Sequence, residues 1–346
     1  MSLVVSEEQE ELRRALRRFF ADKSPSAEVR RLMGSAEGYD PKVWAQMAEQ
    51  IGLQGLAIPE EYGGAGFGMR ELAIVFEEMG RALVCAPYLA TILGAAAVLA
   101  AEDEELKWEV LPGIADGTMI AAVAVEGVTA RETAEGWALD GIASYVVDGH
   151  LADLVVVCGD DGLFAVQDGF GRTPLPTLDQ TRRLTRLEFD GTPARRIGGP
   201  RRHVEDVAAV ALAAEALGGA QRMLDLTVEY VKVRRQFGRP IGSFQAIKHR
   251  CADMFVLVES ARSAVLQAAA VADESPEELP MAAAVAKAYC TDAYFQVAGE
   301  AVQLHGGIGF TWEHDAHLYF KRAKSCQELF GSAARHRERL AGLVGI

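Results

Sequence analysis

Downstream of Arg202 the chain offers three long alanine-rich runs, Val204 to about Arg234, Phe244 to Ala272 and Pro280 to Leu304, each carrying apolar residues at helical spacing. Helices of this length have more apolar surface than they can hide alone, and packing them on one another as a bundle is the economical solution. The preceding stretch has the opposite texture. Ala121 to Val125, Ser144 to Val147, Leu154 to Cys158 and Leu163 to Val166 are short β-rich runs separated by glycine-containing turns, which reads as a small β-domain ending near Gly199. Before it, Leu12, Leu16, Phe19 and Phe20, and later Leu72, Val75, Phe76 and Met79, recur with a helical period. Pro41, Pro59, Gly63-Gly64, Pro87 and Pro112 mark where those helices should open or end. The expectation is an α+β multidomain chain, with a helical domain over 1–118, a middle β-domain over 119–200 and a C-terminal helical bundle over 201–346.

At 346 residues the chain has room for two or three domains. Its 35 Lys+Arg against 49 Asp+Glu give a formal net charge of −14, which argues against a protein that coats nucleic acid or an anionic membrane. Cys85, Cys158, Cys251, Cys290 and Cys326 stand far apart without a CxxC spacing, and their odd number suits a reducing cytoplasm better than a disulfide framework. The amino terminus runs at once into charged residues, so neither a signal peptide nor a membrane span is expected.

Four features could carry chemistry. Lys232-Val233-Arg234-Arg235-Gln236-Phe237-Gly238-Arg239-Pro240 concentrates cations beside a helix breaker in an acidic chain; it suits an anion such as a pyrophosphate, or is a solvated basic helix end. Gln303-Leu304-His305-Gly306-Gly307-Ile308-Gly309-Phe310 follows a long helix, and its glycines serve either close backbone approach to a ligand or a tight turn between helices. Glu215 is the one charge in the apolar stretch from Val207 to Ala220. A carboxylate in such surroundings is either a general base or half of an ion pair with an arginine from another helix. Glu313-His314-Asp315-Ala316-His317 mixes imidazoles and carboxylates, yet no second pair at metal-ligand spacing accompanies it, so a helix start without metal is the expectation.

Together these segments resemble the acyl-CoA dehydrogenase family of flavoproteins over nearly the whole chain. Ile51-Gly52-Leu53, Pro59-Glu60-Glu61-Tyr62-Gly63-Gly64 and Phe76-Glu77-Glu78-Met79-Gly80 are similar to its N-terminal domain. The run from Arg234 to Ile241 with Phe244-Gln245-Ala246 resembles its first C-terminal signature, and Gln303 to Phe310 its second. The resemblance implies a helical domain, a β-domain and a four-helix C-terminal domain, assembled as a homo- or hetero-oligomer, usually a dimer of dimers. It also implies FAD, an acyl-CoA substrate desaturated at its α,β bond, a place in fatty acid or lipid catabolism, and an electron-transfer flavoprotein or similar acceptor. Carried over residue by residue, the cofactor contacts fall on Arg234, Phe237, Gln245, Gln303, Gly306 and Gly307, which reach the FAD of the neighbouring subunit.

The chain also departs from the family. Where the catalytic Glu usually stands after the second signature, the sequence reads Leu329-Phe330-Gly331-Ser332. The position used by another branch of the family falls on Ala208, with Glu205 one turn earlier, which leaves Glu215 as the candidate base. The β-domain motifs that contact flavin within the same subunit are reduced to Val125-Glu126-Gly127-Val128-Thr129 and Tyr145-Val146-Val147. Three readings follow from the resemblance: an FAD-dependent acyl-CoA dehydrogenase using Glu215, a partner subunit that completes another chain's flavin site, or a flavin oxidase or monooxygenase on the same fold.

Overall fold

The computed structural model describes residues 5–346. Helices α1 (Glu7–Lys23), α2 (Ser26–Met33), α3 (Pro41–Gln46), α4 (Met69–Ala82), α5 (Tyr88–Leu99) and α6 (Glu104–Ala115) come first. Strands β1 (Ala121–Ala124), β2 (Val128–Thr133), β3 (Gly136–Val147), β4 (Leu154–Gly159), β5 (Gly162–Val166), β6 (Gly171–Leu175) and β7 (Leu184–Arg196) follow. The remainder is α7 (Arg201–Val233), a two-residue ribbon of β8 (Arg235–Gln236) and β9 (Arg239–Pro240), then α8 (Gln245–Glu274), α9 (Leu279–His305), α10 (Ala316–Glu328) and α11 (Ala333–Leu343). By compactness the chain divides into two units: one takes the amino-terminal segment to Val29, Met69–Val84 and Ala209–Ile346, the other Arg30–Gly68 and Cys85–Ala208.

The second unit holds the sheet. Its strand order is β1-β4-β5-β7-β3-β2 with β6 on β7, and β1 pairs with β4 in parallel while the other neighbours are antiparallel. Helix α5 is apolar on all sides and buried nearly throughout. It lies close on β1, since a side chain at Gly94 would meet the Ala121 Cβ at 2.4 Å. The Tyr88 hydroxyl donates to the Leu53 carbonyl at 2.9 Å, and Arg183 donates to the carbonyls of Leu32, Met33 and Ser35, closing the C-terminal end of α2. Proline opens α3 and α5 as expected, but Pro112 lies inside the last turn of α6 instead of ending it. The amide that proline lacks and the clash of its ring both fall on the Trp108 carbonyl one turn earlier, and helix α6 stops three residues later.

The first unit is helical. A capping box joins Ser6 and Gln9 at the start of α1, with Glu7, Glu8 and Glu10 in the first turn complementing the helix dipole. Arg13 and Arg17 of α1 pair with the buried Glu77 and Glu78 of α4, and Arg262 of α8 binds Glu77 from the other side at 3.0 Å. Helices α4 and α7 approach until their backbones touch. A methyl at Gly80 would lie 2.1 Å from the Glu215 carbonyl oxygen, and one at Gly218 would lie 1.8 Å from that of Glu77. Glycine is required at both positions because the space a Cβ needs is already backbone.

Candidate cofactor and catalytic sites

The residues singled out for cofactor binding sit at the ends of α7 and α9 and at the start of α8. Helix α7 terminates at Val233, the Arg234 amide still donating to the Tyr230 carbonyl at 2.8 Å, and the chain turns back through the β8-β9 ribbon. Its two-residue tip, Phe237-Gly238, has positive φ at both positions (50° and 80°), as a type I′ hairpin demands. A bulky residue held left-handed costs backbone strain, and such strain clusters at ligand clamps. Here it lifts the Phe237 ring to 91% exposure. The tip leans on Phe244, whose ring contacts Phe237 and carries the Arg239 guanidinium at 4.0 Å. Gln245 follows directly and is exposed.

At the end of α9, Gln303 is exposed and the helix breaks at Gly306, whose φ of 64° and ψ of −142° no L-residue adopts readily. Side chains built on Gly306 or Gly307 would project into open space, so bare backbone faces outward there. Among the described residues the Arg234 guanidinium has no carboxylate partner. An uncommitted cation, two exposed carboxamides, an upright ring and open backbone are a donor set that fits a dinucleotide such as FAD.

The β-domain motifs do not offer the same fit. Between β1 and β2 only Val125, Glu126 and Gly127 remain, and this loop is closed onto β3, with the Ile142 amide donating to the Gly127 carbonyl at 2.8 Å. Val147 is buried and brings no hydroxyl. Tyr145 stands at a register shift in β3 with φ of 62° and is 66% exposed, so an aromatic face is kept while the polar contacts beside it are gone.

Glu215 is already bound. Its carboxylate receives the Arg322 guanidinium of α10 at 2.6 Å, with the two side chains only 6% and 5% exposed. Of the two alternatives open in the sequence, this is the geometry of the interhelical ion pair. Ala208 is fully buried, and Glu205 is paired with Arg201 at 3.0 Å. The turn at 329–332 carries no base, but it is firmly held. Phe330 and Gly331 both have positive φ, His336 Nε2 donates to the Phe330 carbonyl at 3.0 Å, and the fully buried Lys287 ammonium donates to the carbonyls of Cys326 (2.8 Å) and Gly331 (3.0 Å). Lys287 was legible by the same signal as Glu215, a lone charge in an alanine-rich run.

His314 packs against His305 and His317 against Trp312, and no group of three or more metal-ligating side chains converges among the described residues. A cavity of about 510 Å³ between α1, α4, α7 and α8 is lined by arginines, but Glu77, Asp225 and their neighbours already pair them. Burial holds His150, His203, His305 and His336 below the ordinary imidazole value of 6.5. A histidine that resists protonation when folded favours the unfolded chain once the solution is acid enough to charge it. Stability should therefore decline as the pH falls through about 6.5 and level off below the folded values, which a melting series from about pH 7.5 to 5 would show. A flat profile over that range would contradict it.

Sequence profiles of the acyl-CoA dehydrogenase N-terminal domain and C-terminal domain match residues 6–118 and 206–344. The chain is 42% identical over 338 residues to the acyl-CoA dehydrogenase IpdE2 of Mycobacterium tuberculosis, covering 98% of each. Among solved structures it is similar to a variant of the Tcur3481-Tcur3483 steroid ACAD (33% identity, TM-score 0.92, 99% of each chain). It is also similar to the ChsE4-ChsE5 complex from Mycobacterium tuberculosis (29% identity, TM-score 0.93, 100% of this chain and 99% of that one). The chain belongs to the acyl-CoA dehydrogenase family, FAD-dependent enzymes that desaturate acyl-CoA thioesters. Its helical N-terminal part, β-sheet middle and helical C-terminal part are the architecture of that family.

Proposed function

We propose that this chain works as one half of a two-chain acyl-CoA dehydrogenase, lending Arg234, Phe237, Gln245, Gln303, Gly306 and Gly307 to an FAD bound on a partner chain that also supplies the base. The observation that carries the reading is the asymmetry of the parts. The surface lent outward is complete, whereas Phe330 replaces the base, Glu215 is bound to Arg322 and the β1-β2 loop is closed on its own strand.

When bound, FAD would supply the acceptor for the hydride leaving the substrate β-carbon, and a carboxylate of the partner chain would take the α-proton. In this scheme Arg234 would pair with the pyrophosphate, the Gly306-Gly307 turn would let the cofactor approach bare backbone with no side chain in the way, and Phe237 would cover apolar surface of the cofactor. An assembly also accounts for the apolar surface of the C-terminal helices. Phe255 and Val256 on α8 and Met281 and Val285 on α9 are all more than 40% exposed, and such a patch calls for cover. The two similar structures named for paired chains, one of them a steroid ACAD, support a two-chain assembly and a lipid-derived or steroid-derived acyl group. An electron-transfer flavoprotein or similar acceptor would reoxidise the flavin. Five free cysteines, four of them buried, support a cytoplasmic location.

The absorption spectrum of the chain purified alone and dialysed against excess FAD tests this. A colourless chain is expected; flavin retained near one per chain and bleached by octanoyl-CoA without oxygen would show a self-sufficient enzyme.

A further inference from the structure

The two flavin-lending segments are far apart in sequence, yet one stack of rings ties them together. Tyr230 is one turn before Arg234 and accepts its amide proton at 2.8 Å. The Tyr230 hydroxyl donates to the carbonyl of His305, the last residue of α9, at 3.3 Å, and the two rings stack at 4.4 Å with an angle of 25° between their planes. His305 is only 3% exposed and immediately precedes Gly306. Its Nδ1 lies 2.7 Å from the Ala301 carbonyl; a carbonyl can only accept, so Nδ1 carries the proton. Nε2 is buried without a hydrogen-bond partner, as a neutral ring leaves it.

The imidazole also meets the His314 ring, centroid to centroid at 4.4 Å, and His314 Nδ1 accepts the Ala316 amide at the start of α10. The turn after Gly306 folds back against the base of the His305 side chain, because a methyl at Gly309 would stand 2.9 Å from the His305 Cβ. Neither ring reaches the exposed surface as Phe237 does: Tyr230 is half-buried and His305 buried.

We propose that Tyr230 and His305 are positioning residues that hold Arg234 and the Gly306-Gly307 backbone at a fixed separation, so that both engage one FAD. This rests on the reading that the surface is lent to a flavin. The physical argument is one of preorganisation. Arg234 lies just past the end of a helix and Gly306 at a break in another, so without a cross-tie each end frays independently and binding must pay to order both. A stacked pair with a hydrogen bond at its edge removes that freedom before the cofactor arrives.

The test titrates FAD into the flavin-depleted native assembly and follows quenching of flavin fluorescence. His305→Ala should weaken FAD about tenfold, Tyr230→Phe, which keeps the stack, about threefold, and His305→Phe, which restores a ring, should recover most of the loss. In an Arg234→Ala background the His305→Ala effect should shrink below about twofold, since a positioning residue then has less to position. Val297→Ala, a buried α9 control, should lower the melting temperature and leave FAD affinity unchanged. If Arg234→Ala weakens FAD while His305→Ala and Tyr230→Phe do not, or if the two losses add in full, the cross-tie is wrong. Should Arg234→Ala itself have no effect, the reading beneath it falls and the cross-tie with it.

Discussion

Glu215→Leu should destabilise the folded chain by about 3–5 kcal/mol, because it removes the carboxylate that faces the buried Arg322 guanidinium at 2.6 Å. The pair is 2.6 Å apart and each side chain is nearly inaccessible, so water cannot take the place of the missing partner. The space around it is already filled. Backbone of α4 touches α7 at Gly80, leaving no room for the helices to shift and admit solvent. Arg322→Met should cost a similar amount for the mirror-image reason. The double variant Glu215→Leu/Arg322→Met should lose much less than the sum of the two, since replacing both charges by apolar groups of similar volume removes the burial penalty along with the attraction.

Denaturant melts of the four proteins check this directly. They also separate the two roles Glu215 could have. A structural carboxylate replaced by glutamine lowers stability, while the folded fraction keeps its flavin reduction by acyl-CoA in the native assembly. A general base replaced by glutamine would instead lose at least about a hundredfold in flavin reduction at unchanged stability. The second result would return Glu215 to the catalytic role.

Arg234→Ala should loosen flavin in the native assembly roughly tenfold to a hundredfold, the effect of removing a charge-assisted contact worth about 1.5–3 kcal/mol at a partly desolvated phosphate. Nothing in the fold should suffer, because Arg234 is exposed and has no ion-pair partner among the described residues. The informative companion is Tyr145→Asp, which removes the exposed aromatic face through which the chain's own β-domain would meet a flavin. If the cofactor sits only on the partner's β-domain, Tyr145→Asp leaves flavin content unchanged while Arg234→Ala lowers it. Both measurements use the flavin-containing assembly recovered from the native host through a tag on this chain. Loss of flavin with Tyr145→Asp would mean that the chain uses its own β-domain after all. Mixing the two variants would then restore flavin at interfaces where an intact Arg234 meets an intact β-domain.

The sequence alone determined the long helices and located the cation- and glycine-rich segments at their ends, because both are written locally. Three alanine-rich runs predicted helices whose observed limits, Arg201–Val233, Gln245–Glu274 and Leu279–His305, differ from the expected ones by a few residues. Period and breakers suffice when a helix is long, and the glycines and cations at its end are legible without knowing what lies opposite. The β-domain was legible in its buried strands but not in β2, β6 and β7, whose half-exposed residues mix charge with apolar positions and leave no clean run.

What tertiary structure alone decided was the meaning of isolated charges. Glu215 in an apolar helix is open to reading as a base or as half of a pair, and the distance to Arg322, more than a hundred residues along the chain, is what separates them. Lys287 likewise became the anchor of the Phe330 turn only when the carbonyls of Cys326 and Gly331 were seen to converge on it. The Tyr230–His305 stack could not be read from either of its neighbourhoods, since an aromatic at a helix end is ordinary wherever it occurs. Local pattern fixes what a residue is exposed to along its own helix; the partner that sets its chemistry comes from another segment, and sequence spacing carries no record of that approach.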